Sequence, residues 1–516
     1  MEHHGTESYF IVGEGLLSES RGGREETLAT TAAAATPPFR FSRIGPSGVG
    51  HQLSESSLER LGKEMISAGG APARIPAGFT YLGQFVDHDL TFDRTKVMLG
   101  ENISPADLVQ GRSPSLDLDS LYGAGPNDPS SARFYEDDGV HLRMGKTRAA
   151  DGIAAKDGFD LPRGAGNTAT KKRRAIIPDP RNDENLAVAQ THLAMIRFHN
   201  RVVDSLPASV PDGKRFARAR GVVTRHYQWM LRTDYLPRIC APGVVNGVFN
   251  AGRKAFEVGA PPISVPTMPV EFSVASFRVG HSMIRRNYNW NRIFDNGLGT
   301  LDFLFLFSAG SGDLGGDTRL PSNWIADFRR LYDFGEAGRA NLVVPPAKFN
   351  RAMRIDTRLV NPLRNLPGFP AKDANLAVRN LRRGRMVKLA TGQQMVRFLR
   401  SRGVNVTRLS RAQIRDGRQG VGLDGLTTSQ RDALLRDTPL WFYILREAEF
   451  NGGRLKGVGA RVVAESFHRA IEGSRASIVR DPTWRPNLGP NKKTFGMVDL
   501  LLFAFEGKKG LLAPVG

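Results

Sequence analysis

The sequence predicts a mainly α fold, with one large domain over residues 56–516 behind an N-terminal arm, residues 1–55. Three observations point there. Long segments carry apolar side chains at helical intervals, no series of strands alternates with helices, and no internal repeat recurs. At 516 residues, 40% hydrophobic and 8% aromatic, the chain can bury a large core.

In chain order, residues 1–55 are polar and rich in Ala, Thr, Pro and Gly, which reads as a loosely ordered arm. The segment 82–90 keeps helical spacing. Residues 100–180 are dense in Gly, Pro, Ser, Asp and Lys and read as long loops covering a site. Residues 184–206 read as a helix, with Asn182 and Asp183 as start signals and Pro207 beyond its end. Further helices are expected over 216–236, 270–286, 438–451 and 458–478.

The net charge is +21, from 72 Lys and Arg against 51 Asp and Glu. Such a balance suits nucleic acid, an anionic membrane or an acidic partner. The basic residues are spread along the chain, however, and the densest run, Lys171–Arg174, is short. A solvated basic surface is therefore favoured over a specific nucleic-acid patch. Cys240 stands alone, so no intramolecular disulfide forms, which fits a reducing compartment. The first residues lack a basic stretch followed by an apolar one, so the cytoplasm is the default location. The apolar runs 301–307 and 498–505 are too short to span a bilayer. Nothing in the chain fixes an oligomeric state.

Four constellations carry chemistry. Gln84, Asp87, His88 and Asp89 sit among Leu82, Phe85, Val86 and Leu90, with Gln84 and His88 one helical turn apart. Buried polar groups cost free energy unless partnered, so such a cluster usually serves a ligand or a metal. Arg181-Asn182-Asp183-Glu184-Asn185 opens a helix bearing His192 and His199. Glu271–His281 holds Arg278 three residues before His281, with Gly280 between them. Ser113, Ser115, Asp117 and Asp119 alternate, so an extended loop turns their oxygens to one side. Such a set suits a hard cation, although Asp-x-Asp alone is more often a turn.

In chain order (the 84–89 cluster, the 113–119 loop, Arg181–Asn185, Glu271–His281, then Asn380) the motifs resemble the animal haem peroxidase (peroxidase–cyclooxygenase) superfamily, in a prokaryotic branch, from about residue 75 to 480. The resemblance implies a single large helical domain with little β structure and a haem b cofactor. It implies that His88 and Arg181 are the catalytic pair on the distal side and that Gln84 lines a halide- and water-binding position. By the same resemblance Asp87 and Glu184 are the carboxyls that esterify the haem. His281 is the axial iron ligand, preceded by Arg278, and Asn380 is its hydrogen-bond partner. Asp89 joins Ser113, Ser115, Asp117 and Asp119 around Ca²⁺, and His192 and His199 become structural. Asn185 stands where mammalian members carry a Met, so their sulfonium link is absent. The resemblance also leaves open secretion by a route without an N-terminal signal.

The expected activity is reduction of hydrogen peroxide with oxidation of phenols, halide or thiocyanate. Two alternatives stand beside it. One is a fatty-acid dioxygenase of the same superfamily, which would need a Tyr where this chain has Arg278. The other is a basic haem-binding protein without turnover. Two nucleotide-like motifs are set aside. Gly145-Lys146-Thr147 lacks the earlier Gly of a phosphate loop, and Gly310–Gly315 fits GxGxxG without room for a following helix.

Overall fold

In the computed structural model, which describes residues 39–95, 97–490 and 494–516, helices carry the frame. The central helix, Gly78–Leu90, is buried along its whole length except at Gln84. A helix buried on every side belongs in a core, so the polar Asp87, His88 and Asp89 it carries need partners there. Two glycines let it sit deep: a Cβ at Gly78 would lie 2.2 Å from the Tyr332 ring, and one at Gly83 2.3 Å from the Tyr235 hydroxyl.

The helix Leu186–Asp204 packs against it. Its cap is Asn185, whose side chain accepts the Val188 N–H at 2.9 Å. The expected start signals, Asn182 and Asp183, belong instead to a preceding 3-10 turn, Pro180–Asp183, which Asp179 caps. On the far side of Leu186–Asp204 lie Asp212–Met230 and Met497–Ala504. The expected 216–236 helix runs from Asp212 through a π-helical turn, Leu231–Tyr235, into Leu236–Ile239. Leu440–Glu449 and Gly457–Glu472 occupy the two C-terminal helical predictions, the second ending at Gly473 and not at 478.

The expected helix over 270–286 is the largest departure. It is a π-helical turn, Phe272–Ser276, a turn over 277–279 and a four-residue helix, Gly280–Met283. Val270, Val274 and Val279 are β-branched and Gly280 is costly in a helix. The Phe277 N–H reaches back to Phe272 O at 3.0 Å, and Arg278 Nε donates to Ser273 O at 2.7 Å. Wide turns of this kind are frequent at functional sites.

The β structure is slight and consists of short pairings. Phe39–Ser42 is the middle strand of a three-stranded sheet, antiparallel to Val109–Gln110 and parallel to Met268–Pro269. Ile66–Ser67 pairs with Leu359–Val360, Pro72–Pro76 with Arg351–Met353, and Asn287–Tyr288 with Gly299–Thr300. Gly145–Lys146 is a strand paired with Asp157–Asp160, which leaves no phosphate loop there. Gly310–Gly315 is a loop that ends within a short 3-10 turn, Leu314–Gly316, and no α-helix opens there.

Residues 1–38 of the expected arm lie outside the described residues. Residues 39–54 are not loosely ordered. Phe41, Ile44 and Leu53 are buried, and the Ile44 and Gly45 N–H groups donate to the Glu271 carboxylate at 2.9 and 3.0 Å. Three apolar side chains and a buried acceptor suffice to hold this stretch against the domain.

Candidate functional site

The central helix and the Arg181–Asn185 segment meet at His88. The His88 imidazole is fully buried, and its Nδ1 lies 2.8 Å from Asn182 Oδ1. An amide oxygen accepts, so Nδ1 carries the proton and Nε2 is the basic nitrogen. The same amide's Nδ2 donates to His192 Nδ1 at 2.9 Å, which fixes His192 behind it. Burial, with Arg181 as the second cause, lowers the His88 pKa and keeps the ring neutral. Its Nε2 lies 3.6 Å from Glu184 Oε1.

Arg181 is held on three sides. Nε and Nη2 pair with Asp179 at 3.0 and 2.7 Å, Nη2 also donates to the carbonyls of His88 and Thr91, and the guanidinium lies 4.5 Å from the Phe92 ring centre. Burial alone would raise the Asp179 carboxyl. Arg181 and Arg112 outweigh it and hold that group well below the usual carboxylate range. Arg181 Nη1 has no hydrogen-bond partner among the described residues. A buried N–H left in this state is a donor awaiting a ligand.

Gln84 donates to Glu184 and accepts from Asn185 Nδ2 at 3.0 Å. The structure thus brings Gln84 and His88, which the helical spacing paired, together with Glu184, which the resemblance added. Asp87 points elsewhere: its Oδ2 lies 3.5 Å from Arg278 Nη1, and neither oxygen makes a hydrogen bond among the described residues. Burial pushes its carboxyl up to about 8 against the pull of Arg181.

His281 sits on the short helix 280–283, which packs against the central helix. Its Nδ1 lies 2.8 Å from the Asn380 amide. As placed, Asn380 presents Nδ2 and leaves Oδ1 without a hydrogen bond. Turning the amide over would let Oδ1 accept the Nδ1 proton and free Nε2 as a ligand. Burial, then Arg278 and Arg383, lowers the His281 pKa far enough to keep the imidazole neutral, the form that binds iron. A Cβ at Gly280 would meet nothing within 4 Å, so the backbone beside His281 is open to a flat ring. The orphaned Asp87 oxygens, the neutral His281 and this open backbone fit a haem.

The proposed calcium residues gather less tightly. Asp89 accepts from the Leu118 and Ser120 N–H groups at 3.3 Å each and from the Ser120 hydroxyl. Asp117 accepts from the Arg475 N–H, and Asp119 pairs with Arg220 at 3.1 Å. Ser113 Oγ accepts the Ser115 N–H at 3.3 Å. Burial and the neighbouring Asp119 push Asp89 up to about 7 and Asp117 up to about 6. Mutual repulsion among buried carboxylates suits a dication. Yet no three acidic or imidazole groups among the described residues converge closely enough to hold one as placed.

Sequence reasoning missed Asn182, read only as a helix start signal, and Asp179, the anchor of Arg181. It also missed Arg163, which pairs with Asp160 at 2.7 Å and with Asp183. A buried polar residue between Arg181 and Glu184 was the available signal. His199 is structural, bonded to the Tyr122 hydroxyl and to Val140 O.

The family model for animal haem peroxidases matches residues 67–470. "Heme peroxidase 2" of Caenorhabditis elegans is 23% identical over 423 residues, covering 80% of this chain and 54% of that protein. Thyroid peroxidase of Rattus norvegicus is 27% identical over 191 residues, 35% of this chain and 20% of that one. The chain therefore spans about half, or less, of the curated relatives it matches. Peroxidase A from Dictyostelium discoideum shares the fold at a TM-score of 0.60 and 15% identity, over 92% of this chain and 94% of that one. A fatty acid alpha-dioxygenase from Oryza sativa shares it at 0.56 and 10%, over 92% and 84%. A match this long places the chain, by sequence, in the animal haem peroxidase family, whose cofactor is haem.

Proposed function

We propose that the chain is a haem-dependent peroxidase that reduces hydrogen peroxide and oxidises small phenols, halide or thiocyanate. The observation that carries this reading is the neutral His88, whose Nδ1 is committed to Asn182 at 2.8 Å. Its Nε2 is the base that takes the proton from the near peroxide oxygen and returns it to the far one. Arg181, charged at every working pH, turns Nη1 to the negative charge that develops on the departing oxygen. Gln84, tied to Glu184 and Asn185, orders water or a halide at the rim. His281 would hold the haem iron through its imidazole, and Asn380, 2.8 Å from its Nδ1, would orient the ring. Bound haem supplies the redox chemistry. Asp87 and Glu184 carry the carboxyls for its ester links. Asp89, with Ser113, Ser115, Asp117 and Asp119, forms a calcium site once Asp89 exchanges its N–H donors for the cation.

Arg278 favours this reading over a fatty-acid dioxygenase. It fills the place of the phenol that chemistry needs, and no Tyr occurs between Glu271 and Arg286. The test is an absorption spectrum of the haem-reconstituted protein before and after peroxide, followed by turnover with bromide, thiocyanate and phenols. Peroxide-dependent donor oxidation is expected, falling by about 10²-fold or more in His88→Ala. Equal turnover by that variant would mark a haem-binding protein without this mechanism. Oxygen uptake with palmitate or linoleate in the absence of peroxide would establish a dioxygenase.

A further inference from the structure

The short helix Leu301–Leu306 turns apolar side chains outward beside the elements that hold the site. Phe303 is 42% exposed, Leu306 38%, and Leu298, just ahead of the helix, 58%. Phe305 and Phe307 are half-buried beside them. Single exposed apolar residues are ordinary, whereas a contiguous set marks a surface that something covers. The helix is firmly seated: Leu301 and Leu304 are buried, Thr300 caps it, and Phe307 stacks on Trp324 with ring centres 4.3 Å apart.

Both ends of this helix are tied to the pocket. The Leu301 N–H donates to Arg286 O at 2.8 Å, a few residues beyond His281, and Thr300 pairs with Asn287. The Gly310 N–H donates to Asp183 O at 2.8 Å, and a Cβ at Gly310 would lie 2.9 Å from Glu184 Cα. The apolar face therefore adjoins both the axial-histidine segment and the Glu184 turn.

A basic cluster reaches the loop that follows the helix. Lys171, Lys172 and Arg174 are exposed, and Arg173 Nε donates to Asp317 O at 3.3 Å, in the loop that follows the helix. Arg286 and Arg319 are exposed as well. On the acidic side, the Asp317 carboxylate is taken by Arg148 at 2.6 Å, Asp313 accepts the Gly316 N–H, and Asp302 is exposed. The balance is positive.

We propose that this face docks on the surface of an anionic phospholipid bilayer. Leu298, Phe303 and Leu306 enter the headgroup boundary, while Lys171, Lys172 and Arg174 meet lipid phosphates. An apolar set flanked by Lys and Arg is the pattern of an interfacial element, and each basic side chain near such a surface adds to the attraction. No helix among the described residues is long and apolar enough to cross a membrane, and the proposed attachment needs none.

The test is flotation of the full chain with vesicles of phosphatidylcholine mixed with phosphatidylglycerol, against vesicles of phosphatidylcholine alone. Binding is expected only to the mixed vesicles, and it should weaken as salt is raised. The Phe303→Ser/Leu306→Ser double variant should bind at least about tenfold more weakly. Lys171→Gln and Lys172→Gln should each cost about fivefold. Thermal melting and turnover of a small soluble donor, both expected unchanged, show that the variants remain folded. Absence of binding to mixed vesicles overturns the proposal. So does full binding by the Phe303→Ser/Leu306→Ser variant with loss only in the Lys variants, which would mark a general polyanion surface. Self-association abolished by Phe303→Ser/Leu306→Ser, without vesicle binding, would assign the face to a second copy of the chain.

Discussion

His88 Nδ1 and Asn182 Oδ1 stand 2.8 Å apart although 94 residues separate them in the chain. That one contact decides which imidazole nitrogen is basic. Asn182→Leu should leave haem uptake intact and slow the reaction with peroxide by on the order of 10- to 100-fold. The loss stays below that of removing the base, which is worth about 10²–10⁴. Stopped-flow absorbance after peroxide addition measures it. An unchanged rate would show that Asn182 does not orient the ring.

The pair His281–Asn380 gives a second expectation. His281→Ala should abolish the haem absorption band in reconstituted protein, with partial return when imidazole is added. Asn380→Leu should keep the haem but shift its reduction potential, because the ligand loses the partner that fixes its ring. Redox titration followed by absorbance reads this directly, and identical potentials in both proteins would deny Asn380 that part.

Calcium removal forms a third test. If the 113–119 loop and Asp89 take Ca²⁺, melting in calcium should exceed melting in a chelator, by about 2.7 kcal/mol of stability at a hundredfold excess over Kd. Asp117→Asn should lose most of that gain. A melting temperature indifferent to calcium in the wild-type protein would remove the cation from this site.

At the end of the helix Leu440–Glu449, Glu447 is buried and accepts the Val458 and Gly459 N–H groups at 3.4 Å each. Burial pushes its carboxyl from 4.5 up to about 8. The folded chain then holds a proton that the unfolded chain releases near the ordinary value. Its contribution is thus complete at low pH and is lost as pH rises toward about 8. Glu447→Gln, which cannot ionise, should flatten the decline between those limits. Denaturant unfolding of wild type and variant at pH 5 and pH 8 (values chosen about the shift) would show it. Parallel curves for the two proteins would refute the assignment.

Gln84, Asp87 and His88 were legible from their place in apolar company, whereas Arg181, His281 and Asn380 were legible only through the order of the family motifs. Asn182 was not legible, since its task is defined by a contact across 94 residues, not by its neighbours. The wide turn at Phe272–Ser276 was hidden because apolar residues keep a similar spacing through π and α turns. Residues 39–54 look polar and irregular, and their order comes from Glu271 and from strands far along the chain. The cation set was read from alternation alone, and the backbone N–H groups that compete for Asp89 have no trace in sequence.

The short strands carry one more consequence. Phe39–Ser42 pairs with residues 268–269, Ile66–Ser67 with 359–360, and Pro72–Pro76 with 351–353. On the ribosome the early segments of this chain have no mates until most of it has been made. At roughly 5–20 residues per second, the wait for residue 360 is roughly 20–70 s. For that interval the central helix can meet Leu186–Asp204, but the segments 280–283 and 351–353 that also pack on it arrive late, so its closing contacts form near the end of the wait.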